Sequence, residues 1–192
     1  IAMEGWCKKG GQADYVRELA AEFAKQGHAV FVINPYFLKL QNGDISKEEG
    51  YGLFDLSLPI GGNKLDFGIY YNKIDDVHYV RFRDKEGLLY SELYPSKINN
   101  IWYSNTPYGY VEAVALSKIA MHLAKEINIT PDVLHFNDWQ AGLGPVYMET
   151  FYRHHPDFTL YVGKTKTVII THNLAYQGEF DGWLSLPADD PL

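Results

Sequence analysis

The chain has one cysteine, Cys7, so no internal disulfide can form and the stapled scaffold of a small secreted domain is excluded. It has no excess of basic residues. Seventeen lysines and arginines stand against 24 acidic residues, a net charge of −7, so no nucleic-acid partner is expected. It has no apolar run of 18 residues, so no transmembrane helix and no membrane partner are expected. No secretory signal pattern is visible, and with the lone cysteine this points to a reducing, cytoplasmic setting. Internal repeats and low-complexity tracts are absent. His154-His155 has no partners at metal-ligand spacing, and no metal or cofactor is expected. Asn128-Ile129-Thr130 matches a glycosylation sequon, which in such a chain reads as chance.

What is present fits one α/β domain over residues 1–192, with 46% hydrophobic residues to fill a core. Tyr15, Val16, Leu19, Ala20, Phe23 and Ala24 recur at helical spacing, and Gly27 stands where a helix C-cap belongs. Residues 28–34 form a β-branched apolar run ending at Pro35, the pattern of a buried parallel strand. Strands are expected over 54–60, 66–71 and 77–82 with no helix between them, as in an antiparallel meander inserted into the fold. Residues 84–105 read as a long aromatic loop. Thr106 and Pro107 then suit the start of a helix, whose buried stripe is expected at Ala113, Leu116, Ala120, Leu123 and Ile127. A strand at 133–136, a helix over 141–154 and a strand at 167–171 complete the alternation. The architecture expected is an open, twisted, mostly parallel Rossmann-like sheet with helices on both faces. Both termini read as cut from a longer protein.

Two features suggest chemistry. The first is the turn Lys8-Lys9-Gly10-Gly11-Gln12-Ala13-Asp14, set between a short apolar segment and a helix. Such a turn aims backbone N–H groups and a helix N-terminus at a phosphate, and a lysine beside it adds a cation. It is equally the composition of a plain strand-to-helix turn. The second is that three strands run into polar residues, at Met3-Glu4, Phe136-Asn137-Asp138 and Thr171-His172-Asn173. Ligands of open α/β sheets bind at the carboxyl ends of the strands, so Glu4, Lys8, Asp138 and His172 are candidates for one crevice. Each has a second reading. Asp138 suits a helix cap, His172 a satisfied core histidine, and Glu4 a structural ion pair.

The same residues resemble a known family. The turn at 8–14 resembles the Lys-x-Gly-Gly-Leu-x-Asp signature of bacterial glycogen synthases and plant starch synthases (glycosyltransferase family 5). The segment 132–143, Asp-Val-Leu-His-Phe-Asn-Asp-Trp-Gln-Ala-Gly-Leu, is similar to their Asp-Val-x-His-x-x-Asp-Trp-His-x-x-Leu segment. Thr171-His172-Asn173-Leu174-Ala175-Tyr176-Gln177-Gly178 is similar to their Thr-x-His-Asn-Leu-x-Tyr-Gln-Gly block.

The resemblance implies the N-terminal half of a GT-B glycosyltransferase, its C-terminal domain lying outside this chain. The implied reaction moves glucose from ADP-glucose or UDP-glucose to the non-reducing end of an α-1,4-glucan, glycogen or starch, with retention. It needs no metal. It implies catalytic roles for His172, Asp138 and Lys8. Lys8, Gly10, Gly11 and Asn173 would hold the nucleotide-sugar, and Glu4, Asp14, Trp139 and Gln177 would face the glucan. The aromatic composition of the long loop, and not the resemblance, adds Tyr90, Tyr94, Trp102 and Tyr103 as stacking faces for glucan rings. A plant-type member would reside in the plastid.

Gln12 and Gln140 replace the family's leucine and histidine. The stretch 103–110 lacks the arginine and aspartate of the family's Tyr-x-Asp-Asn-x-x-Arg-Phe. A non-catalytic glucan-binding module and a GT-B enzyme with another donor therefore remain as alternatives.

Overall fold

The computed structural model describes residues 11–36, 51–60, 62–86, 89 and 109–174, the side chains of residues 109 and 110 excepted. The chain divides into two compact units, Ile1–Leu56 with Asp66–Pro95, and Ser57–Leu65 with Ser96–Leu192.

The first unit opens on helix α1, Gly11–Lys25. Its C-terminus is closed by Gly27 at φ 89°. The Gly27 N–H donates to the Ala24 carbonyl at 3.0 Å and the His28 N–H to the Phe23 carbonyl at 3.1 Å. This is a Schellman cap, and its C′ position needs a left-handed backbone that glycine adopts without a Cβ penalty. The expected cap is therefore present. Strand β1, Val30–Pro35, pairs in parallel with β4, Val77–Asp84, in the register Val30↔Val77 to Pro35↔Phe82. Val16, Ala20 and Ala24 of α1 pack on Val30, Val32, Val77, Tyr79 and Ile74. Removing that apolar surface from water supplies the main stabilisation of this layer.

Strand β3, Asn63–Ile74, runs antiparallel to β4. The turn between them is Asp75-Asp76, with φ 47° and 63°. Two consecutive positive φ values mark the hairpin turn whose twist matches its strands, and aspartate tolerates that backbone better than most residues. Strand β2, Tyr51–Ile60, completes a sheet of order β1-β4-β3-β2. The three expected strands are neighbours in chain order, with β3 and β4 antiparallel, and they are continuous with β1. β4 serves both as their last strand and as the parallel partner of β1.

In the second unit, β5, Val133–Asn137, pairs in parallel with β6, Lys166–Ile170, from Val133↔Lys166 to Asn137↔Ile170. The α/β class is as expected. Among the described residues, however, the strands form a mixed four-stranded sheet and a parallel pair, where one mostly parallel sheet was expected.

Helix α2, Gly109–Glu126, does not bury the expected stripe. Val114, Ala115, Ile119, Met121 and Leu123 are buried, together with Ser117 and Lys118, whereas Ala113, Leu116, Ala120 and Ile127 are half-buried. Apolar residues surround most of this helix, so periodicity singles out no one face. Lys118 is accommodated by donating from Nζ to the Pro59 carbonyl at 3.3 Å and by lying 4.6 Å from the Tyr147 ring centre. Its last turn is closed by Asn128, at φ 55°, with the Ile129 N–H donating to the Ala124 carbonyl at 2.9 Å. That asparagine, the first residue of the sequon, thus supplies the left-handed cap.

The helix expected over 141–154 is segmented. A 3₁₀ turn, Trp139–Ala141, is followed by α3, Gly144–Tyr147, and a π turn, Met148–Tyr152. Gly142, Gly144 and Pro145 weaken regular helix here. A short helix α4, Thr159–Val162, follows, with no counterpart in the sequence reading. Thr106 and Pro107, the expected start of α2, lie outside the described residues, as does the expected loop beyond Leu89.

Candidate active site at the ends of two parallel strands

The parallel register brings the carboxyl ends of β5 and β6 side by side. The Asp138 N–H donates to the Ile170 carbonyl at 2.7 Å, carrying the pairing one residue past β5. The Asp138 carbonyl in turn accepts from the Ala141 N–H at 3.2 Å, which starts the 3₁₀ turn. Held from both sides, Asp138 adopts φ 63° and ψ −178°. Only glycine normally occupies that region, and a residue with a Cβ is strained there by ~1–3 kcal/mol. The side chain makes no capping hydrogen bond, so the helix-cap reading does not hold. It is 6% exposed, and its Oδ1 is buried without a hydrogen-bond partner among the described residues. A buried carboxylate oxygen left unsatisfied is costly, and a sugar hydroxyl is the kind of donor that would complete it.

His172 lies two residues beyond β6 and is half-buried, at a strand end, so it is not a core histidine. Its Nε2 is 3.1 Å from Oδ1 of Asn137, the last residue of β5. Nδ2 of Asn137 donates to the His135 carbonyl at 3.4 Å. Burial, and then the neighbouring His172, hold the His135 imidazole below its ordinary pKa. Trp139 is half-buried in the turn after Asp138, and Asn173 is exposed. α3 approaches β5 very closely. A Cβ on Gly144 would fall inside the Phe136 ring, so only glycine lets the helix sit against the strand that leads into Asp138.

Asn137 and His172 are thus brought into contact, and Asp138 is tied through its backbone to the end of β6, with Trp139 and Asn173 adjacent in the chain. Gly11 and Asp14 belong to the other unit. Gly11 is the first residue of α1, where N–H groups lack helical partners, and Asp14 lies 3.6 Å from Arg17 in the first turn. Lys8, Gly10, Glu4, Tyr94 and Gln177 lie outside the described residues, as do Tyr90, Trp102 and Tyr103.

Sequence reasoning missed the contacts of Asn137 with His172 and with the His135 carbonyl. The available signal was strand alternation, which puts residues 135 and 137 on one face of β5. Gln140, noted only as a replacement, has its Oε1 buried without a partner among the described residues.

The geometry defines an α/β domain with a polar site at parallel strand ends, and comparison with known proteins gives its family. The sequence profile of the starch synthase catalytic domain matches residues 1–191. Glycogen synthase of Aeromonas hydrophila subsp. hydrophila is 30% identical over 181 residues, 93% of this chain and 35% of that protein. Glycogen synthase 1 of Geobacter sulfurreducens is 31% identical over 177 residues, 91% of this chain and 33% of that protein. The chain belongs to the starch synthase catalytic domain family. It spans about a third of the length of the curated relatives it matches. The catalytic domain of starch synthase IV from Arabidopsis thaliana, solved with ADP and acarbose bound, superposes with a TM-score of 0.71. The superposition covers 92% of this chain and 33% of that one at 17% identity, a likeness of fold. No described helix is long and apolar enough to cross a membrane.

Proposed function

We propose that this chain is the N-terminal, Rossmann-like part of a glycogen or starch synthase. In that reading the whole protein transfers glucose from ADP-glucose or UDP-glucose to the 4-hydroxyl at the non-reducing end of an α-1,4-glucan, with retention. The observation that carries the reading is Asp138. A strained, buried carboxylate at the end of one of two paired parallel strands, the other leading into a half-buried histidine, is poor for stability and well suited to gripping a polyhydroxylated ring. Family membership and the ADP and acarbose of the related starch synthase structure support the same substrates.

The residues divide the work by what each can offer. Asp138 accepts from glucose hydroxyls and His172 orients the donor sugar. Lys8, with the amides after Gly10 and Gly11, stabilises the charge that develops on the departing nucleotide phosphate. Asn173 joins the nucleotide-sugar side, and Glu4, Asp14, Tyr94, Trp139 and Gln177 face the glucan. The leaving phosphate needs no protein acid, unlike the leaving oxygen of a glycosidase. A second domain, outside this chain, supplies the rest of the cleft, and the enzyme works in the cytoplasm, or in the plastid for a plant-type member.

The test is glucan-dependent release of ADP or UDP. The full-length protein should show it, and the 192-residue chain alone should not, because positioning groups from both sides of the cleft are needed. His172→Ala in the full-length protein should lower kcat by roughly 10²-fold with little change in melting temperature. Activity within about threefold of the parent together with a collapsed melting temperature would return His172 to a structural role.

A further inference from the structure

The contacts around His172 determine more than its position. The His135 carbonyl can only accept, so the Asn137 atom 3.4 Å from it is the amide nitrogen. That places the amide oxygen, which also only accepts, 3.1 Å from Nε2 of His172. Nε2 must then carry a hydrogen. Turning the amide over would set oxygen against carbonyl oxygen at one end, so the strand backbone selects the orientation. Asn137 is the last residue of β5, and its register with Ile170 holds it against the chain just past β6. The side chain therefore acts from a strand, not from a loop.

We infer that Asn137 is a positioning residue for glucosyl transfer: it fixes Nε2 of His172 as a nitrogen that carries a hydrogen, so that whenever the ring is neutral the acceptor lone pair for a sugar hydroxyl proton is on Nδ1. This rests on the synthase reading above. An uncharged partner suits that task. A carboxylate at residue 137 would favour the imidazolium, which has no acceptor lone pair. His135, which burial and then His172 hold below its ordinary pKa, gives His172 no negative neighbour, since an imidazole is either neutral or positive. The lock orients the ring in the way that outer partners orient ligating histidines, with His135 contributing its backbone and not its imidazole.

The tautomer can be read without substrate. In the ¹⁵N-histidine-labelled protein, with His172 assigned by loss of its signals in His172→Gln, the parent should show a protonated Nε2 and an unprotonated Nδ1. Asn137→Leu should move these signals toward the mixed-tautomer average. Asn137→Asp preserves the side-chain shape and guards against a folding failure; it should make the ring take up its second proton at higher pH than in the parent. In the full-length enzyme, Asn137→Leu should lower kcat roughly tenfold with the donor KM within about threefold. Asn137→Asp should shift the acid limb of the kcat profile to higher pH. Unchanged His172 signals in both variants would overturn the inference, and so would altered signals with unaltered kinetics. A full-length parent that transfers no glucose removes the underlying functional reading. That failure is distinguishable, because the nitrogen signals are measured with no substrate present.

Discussion

The strain at Asp138 makes a prediction whose sign is unusual. At an ordinary position, replacing alanine by glycine destabilises a protein by ~0.5–1 kcal/mol, because the unfolded glycine chain has more freedom to lose. At residue 138 the backbone sits at φ 63° and ψ −178°. Two backbone hydrogen bonds, to Ile170 and from Ala141, prevent relaxation. A Cβ there costs ~1–3 kcal/mol, and glycine removes that cost. The two effects oppose, and strain wins. Asp138→Gly should be more stable than Asp138→Ala by about 1 kcal/mol, or ~2–4 °C in melting temperature for a chain of this size. Both variants delete the carboxylate, so its burial and its unsatisfied oxygen cancel in the comparison. Urea denaturation of the two proteins side by side measures the difference. Under the proposed synthase reading both should also lose glucosyl transfer in the full-length protein, since neither offers a carboxylate to a sugar hydroxyl. Asp138→Ala equal to or more stable than Asp138→Gly would show that the backbone is not strained. The argument that function maintains an unfavourable residue here would then fail.

Two further outcomes follow from the second unit. His122 of α2 lies 2.9 Å from the Tyr152 hydroxyl, with its ring 4.8 Å from that of Phe158, and burial, Lys118 and Lys125 lower its pKa to about 4. A depressed folded pKa gives stability that is fully present above the unfolded value and lost as pH falls toward the folded one. Between pH 6.5 and about 4, roughly 3 kcal/mol should be lost through this group. His122→Gln should therefore lose less stability than the parent between pH 7 and 4.5 in denaturant titrations, and parallel losses would refute the assignment. Gly144→Ala should destabilise by ~1–3 kcal/mol through its clash with the Phe136 ring, and Phe136→Leu in the same chain should recover part of that loss in thermal melts.

What could be read from the sequence follows the range of the physics. Gly27 announced its own left-handed cap, because the demand comes from the next few residues and the turn needs little else. The polar residues at 137–138 and 172–173 marked where the two strands end, because polar side chains close each apolar run, and the parallel register sets those ends side by side. Which residue pairs with which was not legible. The partnership of Asn137 with His172 spans 35 positions and depends on the β5–β6 register, which no local pattern encodes. The buried face of α2 failed for the same reason: an evenly apolar helix takes its orientation from its neighbours. The break at Gly144 was visible as a glycine but not as a necessity, since the ring that requires it belongs to Phe136 on another element. Asp138 is the sharpest case. Propensity would place glycine at that backbone conformation, and local reasoning would make aspartate a cap. The residue is neither, and the conflict between local preference and adopted structure is itself the strongest pointer to chemistry at this strand end.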